Sequence, residues 1–218
     1  MVDRIAVAEL PLVGGNLALD FANTQSGPPG GEPDVESLSS YEDFVAWALR
    51  VGAVDPPAAD ALVRHARRQP GEADAAFERV TALRGLIYGL FVAIAIDATP
   101  PADALARLRD EEAEALAHAD LAAGSDGFAW TWPRSSDLNR LRWPIVHAAT
   151  TLLTGDRLER VKACGGCRYL FVDETKNGSR RWCSMAECGT RAKMRRFVAR
   201  RSATRSLATS RRNVRAGP

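Results

Sequence analysis

Four cysteines have the clearest capacity for chemistry in this chain. Cys164, Cys167, Cys183 and Cys188 are all the cysteines present, and they follow one another as C-x2-C-x15-C-x4-C. Two close thiol pairs at this separation can converge on one ion, and soft sulfur ligands select zinc or iron. Four sulfurs leave no open coordination position, so such a zinc is structural rather than catalytic. Disulfides, an iron centre and free thiols are the alternatives. A disulfide framework belongs to secreted domains, and the opening MVDRIAVAELPL, with Asp3 and Glu9, lacks the pattern of a secretory signal. The expectation is a cytoplasmic protein holding one zinc per chain.

The charge of the chain divides around the same cysteines. Residues 1–154 contain 12 Lys/Arg and 22 Asp/Glu, a net −10, whereas 155–218 contain 17 and 5, a net +12. From Ala192 onward there are nine basic residues and no acidic one. A basic segment joined to a metal-binding motif points to nucleic acid, DNA before RNA. The candidate phosphate contacts are Arg180, Arg181, Arg191, Lys193, Arg195, Arg196, Arg200 and Arg201. The competing reading is a protein-interaction module whose charge keeps it soluble or meets an acidic partner.

Little else suggests catalysis. His65, His118 and His147 are dispersed, no glycine-rich phosphate loop is present, and no serine or cysteine has a nucleophile's context. The sequence predicts a protein that is not an enzyme. Asp20, Asn23 and Thr24, beside the Gly/Pro-rich 27–33 loop, are candidates for the pocket of a small-molecule effector, with turn and cap hydrogen bonds as the plainer alternative.

The elements that must position these residues begin with a short strand predicted over 17–21. Ser39 and Glu42 form a capping-box pattern opening a helix that stops at Gly52. Pro56 and Pro57 start a second helix, and a long third helix, 73–97, carries Leu83, Leu86, Ile87, Leu90, Phe91 and Ile94 at helical spacing. Its apolar stretch, 85–96, is too short for a membrane span, so it should centre a core. An acidic helix follows to about 119. Phe128, Trp130 and Trp132 alternate as a strand with one aromatic face, and Trp130 and Trp132 are expected to be core. A helix capped at Ser136 or Asp137 should then run to Leu153, with Pro144 kinking it or moving its start to Trp143. Past Gly155, Cys164-Gly165-Gly166-Cys167 reads as a knuckle. Tyr169-Leu170-Phe171-Val172 and Arg180-Arg181-Trp182-Cys183 read as strands of one hairpin turning at Asn177-Gly178. A helix then starts at Ser184 or Thr190, its Met194, Phe197 and Val198 packed on the hairpin, with Trp182 also in the finger core. The fold class is a mainly α domain with a small β component (α+β), followed by a treble-clef-like zinc finger. The expected boundaries are 1–155, 156–201 and a basic disordered tail, 202–218, and the first domain is expected to fold independently.

Over Gly178-Ser179-Arg180-Arg181-Trp182-Cys183-Ser184-Met185 and Cys188-Gly189-Thr190-Arg191-Ala192-Lys193 the chain resembles the CGNR zinc-finger family, with Thr190 where Asn is usual. Leu17-Ala18-Leu19-Asp20-Phe21-Ala22-Asn23-Thr24 and the Trp143-Pro144 segment resemble the ABATE domain that precedes this finger. The resemblance implies a bacterial, stress-responsive transcription regulator. Its finger would bind nucleic acid, and its N-terminal domain would sense an effector or form a homodimer.

Overall fold

The structure, a computed structural model, describes residues 3–124 and 127–199. Arg200, Arg201 and the 202–218 tail lie outside the described residues. No helix among the described residues is long and apolar enough to cross a membrane.

The helical layer is built from α1 (Leu17–Ala22), α2 (Tyr41–Arg50), α3 (Pro56–Arg68), α4 (Pro70–Ala95), α5 (Ala102–Ala117) and α6 (Arg142–Thr154). At its edge, β1 (Asp3–Arg4) pairs parallel with β3 (Val35–Glu36), and β2 (Gln25–Ser26) pairs antiparallel with β3. The strand expected over 17–21 is instead α1. Asn16 accepts a hydrogen bond from the Ala18 N–H and caps it, and Ala18, Leu19, Phe21 and Ala22 are all buried against surrounding elements. Six residues with apolar side chains nearly all round carry no readable period, so the cap and the tertiary burial decide.

Other boundaries move by a residue or a turn. Ser40, not Ser39, caps α2, accepting from the Asp43 N–H, while the Asp43 carboxylate receives the Ser39 N–H. Pro70 occupies the first position of α4, where its missing N–H takes nothing from the helix. Pro144 sits in the first turn of α6 for the same reason, so that helix begins at Arg142 rather than at a Ser136 or Asp137 cap. As expected, α4 runs through the core, burying Val80, Leu83, Ile87, Leu90 and Phe91. Beside it, Phe21, Phe44 and Trp47 pack with ring centroids 5.3–6.1 Å apart. Within this layer Arg84 is buried and makes a bidentate pair with Glu36 at 2.7 and 2.8 Å, also donating to Thr24 Oγ1. The pair pins β3 to α4.

The aromatic strand behaves differently from expectation. β4 (Asp120–Gly124) and β5 (Gly127–Thr131) form a hairpin in which Leu121 faces Trp130 across the strands. Phe128 is 77% exposed and Trp130 42%, because the hairpin packs chiefly on itself and not on the helical layer. Only Trp132 is partly covered, donating its indole N–H to the Ala115 carbonyl.

The finger's hairpin also has different partners. β6 (Val161–Ala163) pairs antiparallel with β7 (Leu170–Val172), and the 164–167 knuckle forms the tip. Residues 180–183 are irregular and are not β7's partner. The Thr175–Gly178 turn does form, with Gly178 at φ 56°, but it closes a loop rather than a hairpin. The strands of β6 and β7 serve two cores. Val161, Leu170 and Val172 join the helical core, whereas Tyr169 and Phe171, alternate residues on the opposite face, pack around the cysteines.

Candidate metal centre

The four cysteines meet at the knuckle and the start of the following helix. All are buried and unbridged, and their sulfurs lie within 4.8 Å of one another. Cys167 Sγ is 3.6 Å from Cys183 Sγ, which is 3.7 Å from Cys188 Sγ. Tetrahedral ligands about 2.3 Å from a zinc ion stand about 3.8 Å apart, so the sulfurs are placed for that ion. Backbone N–H groups complete the fit, since Gly166 and Cys183 both donate to Cys164 Sγ, at 3.4 and 3.3 Å. The donor set and its surroundings fit one structural zinc held by Cys164, Cys167, Cys183 and Cys188.

Local sequence explains the convergence. A Cβ on Gly166 would lie 2.9 Å from Cys188 Cβ, so only glycine lets the knuckle approach the helix start. Ser184 caps that helix, accepting from the Glu187 N–H, and the first turn, Met185–Gly189, is π-wound before continuing as α7 (190–199). Ser184 is therefore the start, and Thr190 is already helical, with its hydroxyl on the Met185 carbonyl. Gly189 inside this turn packs against Met185 and Trp182, where a Cβ would come within 2.8 Å of Met185 Sδ. Trp182 covers the cluster, as expected of finger core.

Without a cation the thiols compete for one charge. Hydrogen bonds from Cys167 and Cys183 hold the Cys164 thiol far below its usual range. Donation to Cys164 pushes Cys167 up to about 12, and drives Cys183 upward as well. A divalent ion at the centre removes this conflict by stabilising every thiolate at once.

The basic residues take different places. Arg181, Lys193, Arg195 and Arg196 are exposed and make no ion pair among the described residues. Arg180 is engaged inside the finger: it donates to the Trp182 and Cys183 carbonyls and lies over the Phe171 ring. Its guanidinium therefore holds the cysteine loop. Arg191 donates to Cys188 Sγ at 3.1 Å. Met194, Phe197 and Val198, expected to be packed on the hairpin, are 58%, 54% and 57% exposed.

Asp20, Asn23 and Thr24 are also engaged within the fold. Asp20 accepts from the Gly14 N–H, and burial raises its carboxyl above the ordinary value against that bond. Thr24 is buried, donating to the Phe21 carbonyl and receiving Arg84. Asn23 donates to the Leu170 carbonyl and accepts from the Leu170 N–H, both at 2.8 Å, capping the outer edge of β7. The Asp20–Gly14 and Thr24–Phe21 bonds are local, as turn and cap bonds are, whereas the bonds of Asn23 and of Arg84 to Thr24 reach across the fold. Sequence reasoning missed Arg168, whose guanidinium lies 3.6 Å from the Tyr88 ring centroid and donates to Gly31, tying the 27–33 loop to the knuckle. No local pattern marks it.

The chain matches two family models. One, ABATE, described as "Putative stress-induced transcription regulator", covers residues 15–156. The other, the CGNR zinc finger, covers residues 160–201. No curated protein matches the chain.

Proposed function

Because the chain belongs to the ABATE family and carries a CGNR zinc finger after that domain, we propose that it is a transcription regulator that binds duplex DNA through the finger. One observation carries this reading. Lys193, Arg195 and Arg196 stand exposed on α7, with Arg181 nearby in sequence, and no carboxylate among the described residues pairs with them. Zinc fixes the start of that helix and so presents the charges as one rigid surface, while base reading falls to side chains near the helix start. The N-terminal domain senses an effector or dimerises. On this reading the protein is cytoplasmic and has no catalytic activity.

Fluorescence anisotropy of a labelled random duplex against salt tests the reading. Neutralising about 4–6 phosphates gives a log–log slope of roughly −4 to −5. Alanine at both Arg195 and Arg196 should reduce the slope by about 1–2 and weaken all sequences alike. Zinc-loaded protein with no affinity for DNA or RNA at ~50 mM salt would overturn it. A second reading has its own support in the exposed Met194 and Val198, one turn apart on α7, apolar side chains suited to a protein partner. Single-stranded RNA in the same titration separates an RNA binder from both.

A further inference from the structure

Four thiolates around one divalent zinc leave a net charge of about −2. This charge sits among the buried side chains of Tyr169 and Phe171, where water screens it poorly. Such centres need donors and positive charge close to the sulfurs. Cys164 has two backbone N–H donors, from Gly166 and Cys183. Cys188 lies at the opposite end of the motif and receives the Arg191 guanidinium at 3.1 Å. The spacing explains the contact. Cys188 and Arg191 are three residues apart where the π turn passes into α7, so both side chains lie on one face.

We infer that Arg191 is a positioning residue of the zinc centre, orienting the Cys188 thiolate and offsetting the charge of the four sulfurs, and is not a phosphate contact. An arginine suits this better than a lysine. Its planar fork can hold a sulfur with one N–H while the rest of the group remains hydrated at the rim. The consequence is a division of labour along one helix. Arg191 secures the metal that holds the helix start, and the basic residues beyond it are free for a partner. The inference depends on zinc in the four-cysteine site and not on DNA binding.

The test is zinc release from the purified full-length holoprotein to excess chelator, followed by a colorimetric zinc indicator. Arg191→Ala should lose zinc about 10–100-fold faster or bind it that much more weakly, the range typical of outer-shell partners. Arg191→Lys, which keeps the charge, and Arg191→Gln, which keeps an N–H donor, should fall between. Lys176→Ala removes a positive charge from an exposed turn of the same finger and should change release less than about twofold. Replacing zinc by cobalt adds a spectroscopic readout: the thiolate-to-cobalt absorption should shift in Arg191→Gln and not in Lys176→Ala. If Arg191→Ala does not fold, the lysine and glutamine variants decide. Release rates and cobalt spectra indistinguishable from the parent protein in both would overturn the inference. So would a drop of about one in the DNA salt slope of zinc-saturated Arg191→Gln, the mark of a lost phosphate contact.

Discussion

Replacing Asn23 by alanine should loosen the finger from the helical layer without touching a cysteine. The Asn23 amide makes paired 2.8 Å hydrogen bonds to the N–H and C=O of Leu170, and Asn23 is 2% exposed while Leu170 is fully buried. Truncation leaves one donor and one acceptor of β7 without partners. Each orphaned buried group costs about 1–3 kcal/mol, so the variant should lose roughly 2–6 kcal/mol. For a chain of this size that corresponds to a fall in Tm of about 4–24 °C, with the middle of the range expected. Asn23→Asp sharpens the argument. It can still accept from the Leu170 N–H, but its carboxylate faces the Leu170 carbonyl and is buried, so its folded pKa must rise above the unfolded value of about 3.9. Its extra destabilisation is therefore absent below that unfolded value, where the protonated carboxyl can donate to the carbonyl. It grows as pH rises above it. Calorimetry of zinc-saturated protein, with the difference from wild type followed between pH 5 and 8, measures both effects. A loss below about 1 kcal/mol for Asn23→Ala, or a pH-independent difference for Asn23→Asp, would refute the clamp.

Three further outcomes can be measured at the metal centre and in the helical layer. Protein purified without added metal should contain one equivalent of zinc, lost in Cys183→Ser. Chelation should unfold the finger around Trp182 while keeping most of the helical circular dichroism, and it should lower the Tm of the remainder because Leu170 and Val172 belong to the helical core. Glu36→Gln should cost about 3–5 kcal/mol in thermal or urea unfolding, since it leaves the buried Arg84 guanidinium without its counter-charge. Burial pushes the Glu36 carboxyl up, but the hydrogen bonds and charge of Arg84 outweigh it and hold the pKa below the ordinary value. The pair's contribution is thus full above the unfolded pKa and lost as pH falls through the folded one, and Glu36→Gln should flatten that acid limb.

What the sequence determined by itself was local. The cysteine spacing declared the metal centre because two thiols within a knuckle and two near a helix start are brought close by a few backbone dihedrals each. The long apolar period of α4 and the Pro starts of α3 were legible for the same reason, whereas the choice of Ser184 over Thr190 as the start of the last helix came from the structure. Tertiary structure decided what depends on residues far apart in the chain. The run at 17–21 reads as a strand by its residues, and it is a helix because the Asn16 cap and the enclosing α4, α6 and β7 decide. The aromatic alternation of β5 identified a strand but not whether anything would cover it. Arg180–Cys183 had strand-like residues, yet β7 pairs with Val161–Ala163, in a register that buries Leu170 and Val172 in the helical core and Phe171 among the cysteines. Asn23 and Leu170 are 147 residues apart, and Arg168 and Gly31 are 137. Side-chain polarity marks each as able to hydrogen-bond, but only the packed chain brings their partners within 3 Å, so the residues that join finger to domain carry no signal in the sequence.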